Sequence, residues 1–423
     1  MSTNKTSTRF AFIMITSLFF LWGFVHNLDP ILIPHLKKAF SLTTLQASLV
    51  DSAVFIAYFV MALPAGFLMK KYGYKAGIIL GLLLFAIGSY LFIPSANTQS
   101  YVFFLVALFV IACGLTILET AANPYASLLG EPEKATQRLN LAQSFNGLAA
   151  TLAPIIGAKI ILTEGYTEKA LNSMTPVAKE IALAAEAATV KAPYFILGSV
   201  ILIIAVIFFF MKLPEIQEPE SKSENSSVLH AFKHRHLSWA IAAQFFYVGA
   251  QVCVFSFFIL YATKSAGITE MQAAQYAGFG VGMAFMVGRF VGTFFMKYIE
   301  PVKLLSLYAA ICTLLCSVAM FSTGMITIYT IIAIAFFMSI MFPTIFSLGI
   351  KELGSDTKFG SSLIIMSIVG GAILPPLFGY IADVYGNIQT GYIVPLVCFT
   401  VIFYFGISGH KITERKIDKN VLV

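Results

Sequence analysis

The chain has 423 residues, of which 58% are hydrophobic and only 11% are charged, and its formal net charge is +7. Soluble domains carry about 25% charged residues, so this chain has too few to cover a surface that faces water on all sides. The composition therefore excludes an ordinary soluble protein and predicts an integral membrane protein.

Long apolar stretches predict twelve membrane-spanning helices in two groups of six, since a helix needs about 20 apolar residues to cross the bilayer. The predicted spans are 10–34, 46–69, 76–94, 100–128, 140–163, 192–212, 237–263, 271–296, 302–322, 326–350, 360–383 and 389–408. The first has no small-residue cleavage signal, so we interpret it as a retained span rather than a leader. The expected domains are an N-terminal six-helix bundle (1–212), a cytoplasmic linker (213–236) and a C-terminal six-helix bundle with a short cytoplasmic tail (237–423).

Positive charges are distributed unevenly between the two sides of this predicted topology. Nineteen of the 27 Lys and Arg residues fall in the loops on the side of the N-terminus, six fall in the opposite loops, and Lys159 and Arg289 fall within spans. Since cytoplasmic loops are enriched in Lys and Arg, we expect both termini in the cytoplasm and a multi-pass protein of the plasma membrane, the inner membrane of a bacterium. This distribution also accounts for the positive net charge without a nucleic-acid partner.

The two halves of the chain resemble each other. Residues 19–23 (Phe-Phe-Leu-Trp-Gly) recur 226 positions later as 245–249 (Phe-Phe-Tyr-Val-Gly), and Lys71-Tyr72 recurs as Lys297-Tyr298 at the same shift. Repeated halves joined by a cytoplasmic linker are typical of carriers in which one bundle rocks against the other around a site between them. The pattern predicts a transporter that works by alternating access.

Glu119 is the most prominent polar residue inside a predicted span. It lies in the middle of span four, and no basic residue follows within two turns to neutralise it. A charged group in the hydrocarbon zone is expensive and is a functional candidate by default. We interpret Glu119 as a group that handles a proton or the substrate; the alternative is a structural acid that is hydrogen-bonded to neighbouring helices.

Two further acids lie at the outer ends of spans. Asp29 in span one precedes Pro30, which removes a backbone donor and leaves a carbonyl group free near the acid. An acid beside an opened helix suits a binding cavity, so we predict a functional Asp29. Asp51 begins span two close to the outer surface, and we interpret it as a solvated acid.

Amide side chains form polar faces on two spans. Gln143 and Asn146 are three residues apart in span five and share a face with Asn140, and Tyr247 and Gln251 are one turn apart in span seven. Amides both donate and accept hydrogen bonds, as recognition of a polyhydroxylated ligand requires. The alternative is that they hold helices together. Lys159 and Arg289 lie near the ends of their spans, and we predict structural roles for both.

Other motifs give no sign of an enzyme. His230, His234 and His236 are spaced like metal ligands, but they lie in a charged inner loop, and we predict no metal site. The five cysteines are scattered through apolar runs and do not form a disulfide framework. The sequence contains neither a phosphate-binding loop nor a nucleophile triad.

Several motifs together resemble the bacterial fucose:proton symporter family of the major facilitator superfamily. The similar segments are Trp22-Gly23-Phe24, Asn27-Leu28, Pro64-Ala65-Gly66, Leu118-Glu-Thr-Ala-Ala-Asn-Pro124 and Arg138-Leu-Asn-Leu-Ala-Gln143-x-Phe145-Asn146. The resemblance covers the first half of the chain and continues more weakly through the second. It implies a twelve-helix major facilitator fold and uptake of a monosaccharide with a proton, the sugar being L-fucose or a related hexose such as galactose or glucose. We expect a monomer that needs no cofactor, because the proton gradient drives it.

The same resemblance assigns site residues. In the family, an acid in span one and a glutamate in span four are implicated in proton coupling and sugar binding, and Glu119 matches the latter. The family's span-one acid falls on Pro30, with Asp29 one residue earlier, about 100° around a helix. We predict proton coupling by Glu119 and Asp29. The predicted sugar-binding residues are Asn27, Glu119, Asn123, Gln143, Asn146, Tyr247 and Gln251.

Loop sequences support the superfamily but depart from its pattern at one position. The inner loop Gly66–Gly73 resembles the superfamily motif Gly-x-Leu-x-Asp-x-x-Gly, with Lys70 in place of the acid. The stretch Gly379–Gly386 repeats the pattern at the end of span eleven and keeps Asp383. The substitution at Lys70 removes the acid of the gating salt bridge that this loop often makes.

Three other functions are compatible with parts of the sequence. An uncoupled sugar facilitator is favoured only by the displaced acid of span one. A membrane sensor with a transporter fold is disfavoured, because such a sensor usually carries an extra soluble output domain and we predict only the two helical bundles. A drug-exporting antiporter would be expected to have an apolar cavity, whereas Asn140, Gln143 and Asn146 form an amide-rich face.

Overall fold

The computed structural model describes residues 5–26, 36, 40, 44–161, 173–214 and 228–412 of the chain. Two residues of the predicted site, Asn27 and Asp29, lie outside these ranges, as does most of the predicted linker. Every regular element in the described ranges is helical, and they contain no β-strand. The expectation of an all-α chain is confirmed there.

Seventeen α-helices make up most of the described residues. They are α1 (Lys5–His26), α2 (Thr44–Asn97), α3 (Tyr101–Leu128), α4 (Ala135–Ile161), α5 (Pro176–Ala188), α6 (Lys191–Phe210), α7 (Val228–Ala231), α8 (Arg235–Ser256), α9 (Phe258–Ala266), α10 (Glu270–Gln275), α11 (Met283–Phe295), α12 (Pro301–Phe321), α13 (Met325–Met338), α14 (Met341–Gly349), α15 (Thr357–Met366), α16 (Gly370–Val384) and α17 (Ile393–Tyr404). Several are continued or joined by short 3₁₀ or π-helical turns, so that one membrane crossing often comprises two helices.

Ten helical segments among the described residues are long and apolar enough to cross a membrane. One of them, Ala53–Asn97, has 45 residues and covers both the second and the third predicted span. Helix α4, with 27 residues, lies at the position of predicted span five but is not among these ten segments. When the two spans within α2 are counted separately and α4 is included, helices lie at the positions of all twelve predicted spans.

A glycine divides the long helix α2 between its two spans. Gly73 has φ 80° and ψ 173°, a conformation that is open to glycine and unfavourable for other residues. Gly386, at the equivalent place in the second copy of the loop motif, also has a positive φ of 65°. The final glycine of the motif is therefore required by backbone geometry in both copies.

The chain folds into two compact units. The first comprises Met1–Ala122 and Ala142–Pro214, and the second comprises Asn123–Leu141 and Glu215–Val423. In the first unit, α2 packs extensively on α6. The rings of Phe92 and Tyr194 stack there with their centroids 3.7 Å apart.

Helix α8 is the central element of the second unit, where it packs on α14, α16 and α17. Helix α12 packs on α13 and α17 in the same unit. Proline at the first position of α12, Pro301, is well placed because the amide proton that it lacks has no partner within the helix. A capping box between Thr269 and Gln272 begins α10.

Small residues allow helices α11 and α13 to approach closely. A Cβ at Gly288 would collide with the carbonyl oxygen of Phe336, and a Cβ at Gly292 would collide with the side chain of Ile340. Gly288 and Gly292 lie four positions apart and therefore on the same face of α11. Such close approach strengthens van der Waals packing, which is the main attraction between helices in lipid.

All five cysteines are buried and unpaired. Cys113 is in α3, Cys253 in α8, and the remaining three, Cys312, Cys316 and Cys398, are in α12 and α17. All five thiols are therefore enclosed within helices of the two units.

Candidate functional site

The carboxyl group of Glu119 on helix α3 has a specific partner in the first unit. The hydroxyl group of Tyr58, on helix α2, donates a hydrogen bond of 2.7 Å to Oε1 of Glu119. Tyr58 is only 3% exposed. A hydrogen bond to a carboxylate is stronger than one between neutral groups, so Tyr58 orients Glu119 and stabilises its charged form.

Sequence reasoning missed Tyr58, although a signal was present. It is the only side chain that donates a conventional O–H or N–H hydrogen bond between Ala53 and Met69, a stretch that otherwise reads as a plain apolar span. A lone hydroxyl in a membrane helix must find a partner, since water is absent from the hydrocarbon core. The identity of that partner is a tertiary fact, because Tyr58 and Glu119 are 61 positions apart.

We expect Tyr58→Phe to slow concentrative uptake by at least about tenfold, because the charged carboxylate of Glu119 loses a hydrogen bond of ~1.5–3 kcal/mol. Exchange of sugar across the membrane, which does not require release of the proton, should change little. The measurement is initial uptake with and without an imposed proton gradient. Tyr90→Phe is the matched control, since it removes a hydroxyl that is hydrogen-bonded to Ser199 at 3.0 Å. Equal effects of the two variants would contradict a specific role for Tyr58.

The predicted amides on α3 and α4 occupy different surroundings. Asn123 is one turn from Glu119 on α3 and is fully buried, and Gln143 on α4 is 4% exposed. Asn146 on α4 is half-buried. Its amide lies against α1, so that a Cβ at Gly23 would come within 2.6 Å of Nδ2 of Asn146. Gly23 therefore leaves room for the Asn146 side chain in the first unit.

Asn140 has partners that suit a structural role. Its amide nitrogen donates to the carbonyl oxygen of Thr136 at 2.9 Å and to Oγ1 of Thr344 at 3.1 Å. Near it, the hydroxyl groups of Thr136 and Ser347 lie 2.9 Å apart. These contacts are all within the second unit and join the start of α4 to α14. The sequence grouped Asn140 with Gln143 and Asn146, but its hydrogen bonds link helices.

The second unit carries its own polar face on helix α8. Tyr247 is completely buried, and the guanidinium group of Arg289 lies near its hydroxyl. Nε of Arg289 donates to the carbonyl oxygen of Ser339 at 3.0 Å, which suits the predicted structural role of this arginine. Gln251, one turn beyond Tyr247, is half-buried.

Gln244 extends this face, and sequence reasoning missed it. It precedes Tyr247 by three positions and Gln251 by seven, the spacing of a helix face. Its side chain is completely buried, and neither its amide nitrogen nor its amide oxygen has a hydrogen-bond partner among the described residues. Buried polar atoms are nearly always paired, so this amide is a candidate to bind a ligand.

The remaining predicted site residues have no described side chains. Asn27 and Asp29 lie outside the described residues. Asp51 and Lys159 lie on α2 and α4, but the structure does not describe their side chains. The predicted role of Asp29 stays a prediction.

Comparison with known proteins gives consistent matches over nearly the whole chain. Residues 11–358 match the family model of the Major Facilitator Superfamily. The chain is 42% identical to the L-fucose-proton symporter of Escherichia coli (strain K12) over 93% of its own length and 92% of that protein. It is also 42% identical to the glucose/galactose transporter of Brucella abortus (strain 2308), over 97% and 96% of the two chains.

Solved structures extend the similarity to three dimensions. The chain superimposes on the crystal structure of a major facilitator superfamily transporter, FucP, in the outward conformation with a TM-score of 0.89. The match has 42% sequence identity and covers 95% of this chain and 98% of the other. Both the sequence and the fold are thus shared along almost the entire length.

Proposed function

Since the chain belongs to the major facilitator superfamily and, within it, to the fucose:proton symporter family, we propose that it takes up a monosaccharide together with a proton by alternating access. The observation that supports this most directly is the hydrogen bond between Tyr58 and Glu119 in the first unit. This hydrogen bond gives the Glu119 carboxyl group a partner that favours its charged form. A group that must release a proton within a membrane span needs such a partner.

The proposed substrate is a neutral hexose such as L-fucose, galactose or glucose. Relatives of similar identity are named as carriers of fucose and of glucose or galactose, so the family accommodates more than one of these sugars. Amide side chains on α4 and α8 offer the donors and acceptors that sugar hydroxyls need. The sugar-binding residues that we propose are Asn27, Glu119, Asn123, Gln143, Asn146, Tyr247 and Gln251, with Gln244 added from the structure.

The remaining expectations complete this proposal. The protein would act as a monomer in the bacterial inner membrane, with residues 1–212 and 237–423 as its two bundles and with both termini in the cytoplasm. The proton gradient would drive uptake without a cofactor.

The direct test of the proposed function uses purified protein in lipid vesicles. L-fucose, galactose and glucose are added one at a time, and proton entry is followed with a trapped pH-sensitive dye. We expect at least one of these sugars to drive proton entry together with its own accumulation. Sugar entry without proton movement would instead identify an uncoupled facilitator. That alternative is favoured by one sequence feature, the presence of Pro30 where the family has its span-one acid.

We expect Asp29→Asn to abolish sugar-driven proton entry and Asp51→Asn to reduce it by less than about twofold. Asp29 is displaced by one residue from the position of the family's acid, and it adjoins in sequence a proline, which lacks the backbone N–H of a regular helix. From its position at the outer start of predicted span two, we expect Asp51 to be hydrated. The two variants are compared side by side in the vesicle assay. Severe loss in Asp51→Asn and a mild effect in Asp29→Asn would move the role to Asp51.

We expect Gln244→Leu to weaken sugar binding by at least about fivefold without lowering the stability of the protein. Its buried amide has no partner among the described residues, so replacing it by an apolar group removes no hydrogen bond within the protein. Asn140→Leu is the contrasting variant, because it breaks two hydrogen bonds of ~0.5–1.5 kcal/mol each. The measurements are sugar titration and thermal inactivation in detergent. Normal sugar affinity in Gln244→Leu would exclude this residue from the binding site.

A further inference from the structure

Two histidines converge on one buried carboxylate near the beginning of α8. His230 is in the short helix α7, His234 immediately precedes α8, and Asp356 immediately precedes α15. Nδ1 of His230 lies 2.5 Å from Oδ2 of Asp356, and Nε2 of His234 lies 3.2 Å from the same oxygen. One atom from each of the three residues lies within 4.8 Å of the others. All three residues belong to the second unit.

The carboxylate of Asp356 is buried, and the two histidines contact only one of its two oxygens. Its side chain is 2% exposed, whereas those of His230 and His234 are 34% and 29% exposed. Its other oxygen, Oδ1, is buried and has no hydrogen-bond partner in the described part of the chain. Burial of a carboxylate is costly unless opposite charge and hydrogen bonds compensate for it. A bound cation would supply that charge and use the second oxygen.

The donor set is suited to one class of cation. Two imidazole nitrogens and a carboxylate oxygen are typical ligands of Zn²⁺, which binds histidine and aspartate at about 2.0–2.2 Å and leaves a fourth position for water. Tetrahedral ligands at that distance are about 3.3 Å apart. The contact between His234 and Asp356 already has this separation, and that between His230 and Asp356 would have to widen by about 0.8 Å. The partial exposure of both imidazoles gives a cation access.

We propose that His230, His234 and Asp356 bind one transition-metal dication of the zinc class. The bound ion would join the segment that precedes α8 to the turn that precedes α15. This proposal departs from the prediction of no metal site, which was based on the position of the histidines in a charged inner loop despite their metal-like spacing. The third ligand is more than 120 positions away in sequence and was not visible there. His236 does not contribute, since its Nε2 faces the carbonyl oxygen of Lys351 at 2.9 Å.

The test is a zinc titration of the full-length protein, purified in detergent without a histidine tag and stripped with a chelator. Bound zinc is counted by elemental analysis, and its affinity is measured by competition with a chromophoric chelator. We expect one tightly bound equivalent of zinc. Cobalt in its place should give the intense visible absorption of a tetrahedral complex.

Variants assign the zinc to these residues. His234→Gln and Asp356→Asn should each weaken zinc binding by at least about tenfold, while His410→Gln, which changes a histidine outside the group, should leave it unchanged. If Asp356→Asn does not fold, the double variant His230→Gln/His234→Gln tests the same site through its partly exposed members. Absence of stoichiometric zinc in the parent protein, or equal affinity in folded variants and parent, would overturn the proposal and leave an ordinary histidine–aspartate interaction.

Discussion

Glu119→Gln is expected to reduce concentrative uptake of sugar to the background level while sugar binding and exchange survive. Glutamine has the shape of a protonated glutamate, and it can still pair with the hydroxyl of Tyr58, which lies 2.7 Å from the carboxylate oxygen in the parent protein. Glutamine cannot release a proton. The carrier therefore cannot discharge its proton on the inside and return empty to the outward-facing state. Affinity for the sugar should stay within about threefold of the parent value, a change of less than ~1 kcal/mol.

Three measurements on the same preparation test this expectation: sugar accumulation driven by a proton gradient, exchange of labelled sugar at equal concentrations, and equilibrium binding. The control is Glu131→Gln, since the Glu131 side chain is exposed and pairs with Lys134 at 2.6 Å. Full accumulation by Glu119→Gln would exclude Glu119 as a proton carrier. Loss of all three activities would instead make Glu119 essential for binding or folding.

The second large effect concerns packing. Gly288→Ala should destabilise the protein by about 1–3 kcal/mol, the usual cost of overpacking, because its new methyl group collides with the backbone carbonyl of Phe336. A backbone group cannot move aside as the end of a flexible side chain can. Helices α11 and α13 would have to separate, and we expect a clearly lower midpoint of thermal aggregation in detergent.

The matched control for this variant is Gly278→Ala, in the π-helical turn that precedes α11. A Cβ at Gly278 meets no atom within 4 Å among the described residues. Alanine should be neutral or slightly stabilising there, since glycine is the poorer helix former by about 1 kcal/mol. If Gly288→Ala melts at the same temperature as Gly278→Ala, close packing at Gly288 does not limit stability.

Sequence patterns were sufficient for the fold. Apolar runs of spanning length predicted twelve helices, and the match to known members of the family confirms a major facilitator fold. Glu119 was also accessible, because a lone acid in a membrane span is conspicuous on energetic grounds alone. Composition and periodicity are properties of the chain itself, and membranes constrain them strongly.

Partners in space were beyond sequence reasoning. Nothing in the apolar stretch around Tyr58 indicates that its hydroxyl reaches Glu119, and Gln244 is distinguished from other amides only by the absence of a partner in the described structure. Asn140 shows the converse: its position beside Gln143 suggested ligand binding, whereas its hydrogen bonds go to Thr136 and Thr344. Whether a polar side chain is paired depends on helix packing, which one sequence does not encode locally.

The burial of all five cysteines makes the unmodified chain suitable for thiol chemistry. A maleimide dye reacts with exposed thiolates, so the native thiols should remain unlabelled while the protein is folded. One cysteine introduced at an exposed position, such as Lys303 at the start of α12, would then carry a fluorophore or spin label without prior removal of native residues. The same five thiols would become reactive on unfolding, so a dye that fluoresces on conjugation would report the melting of each variant.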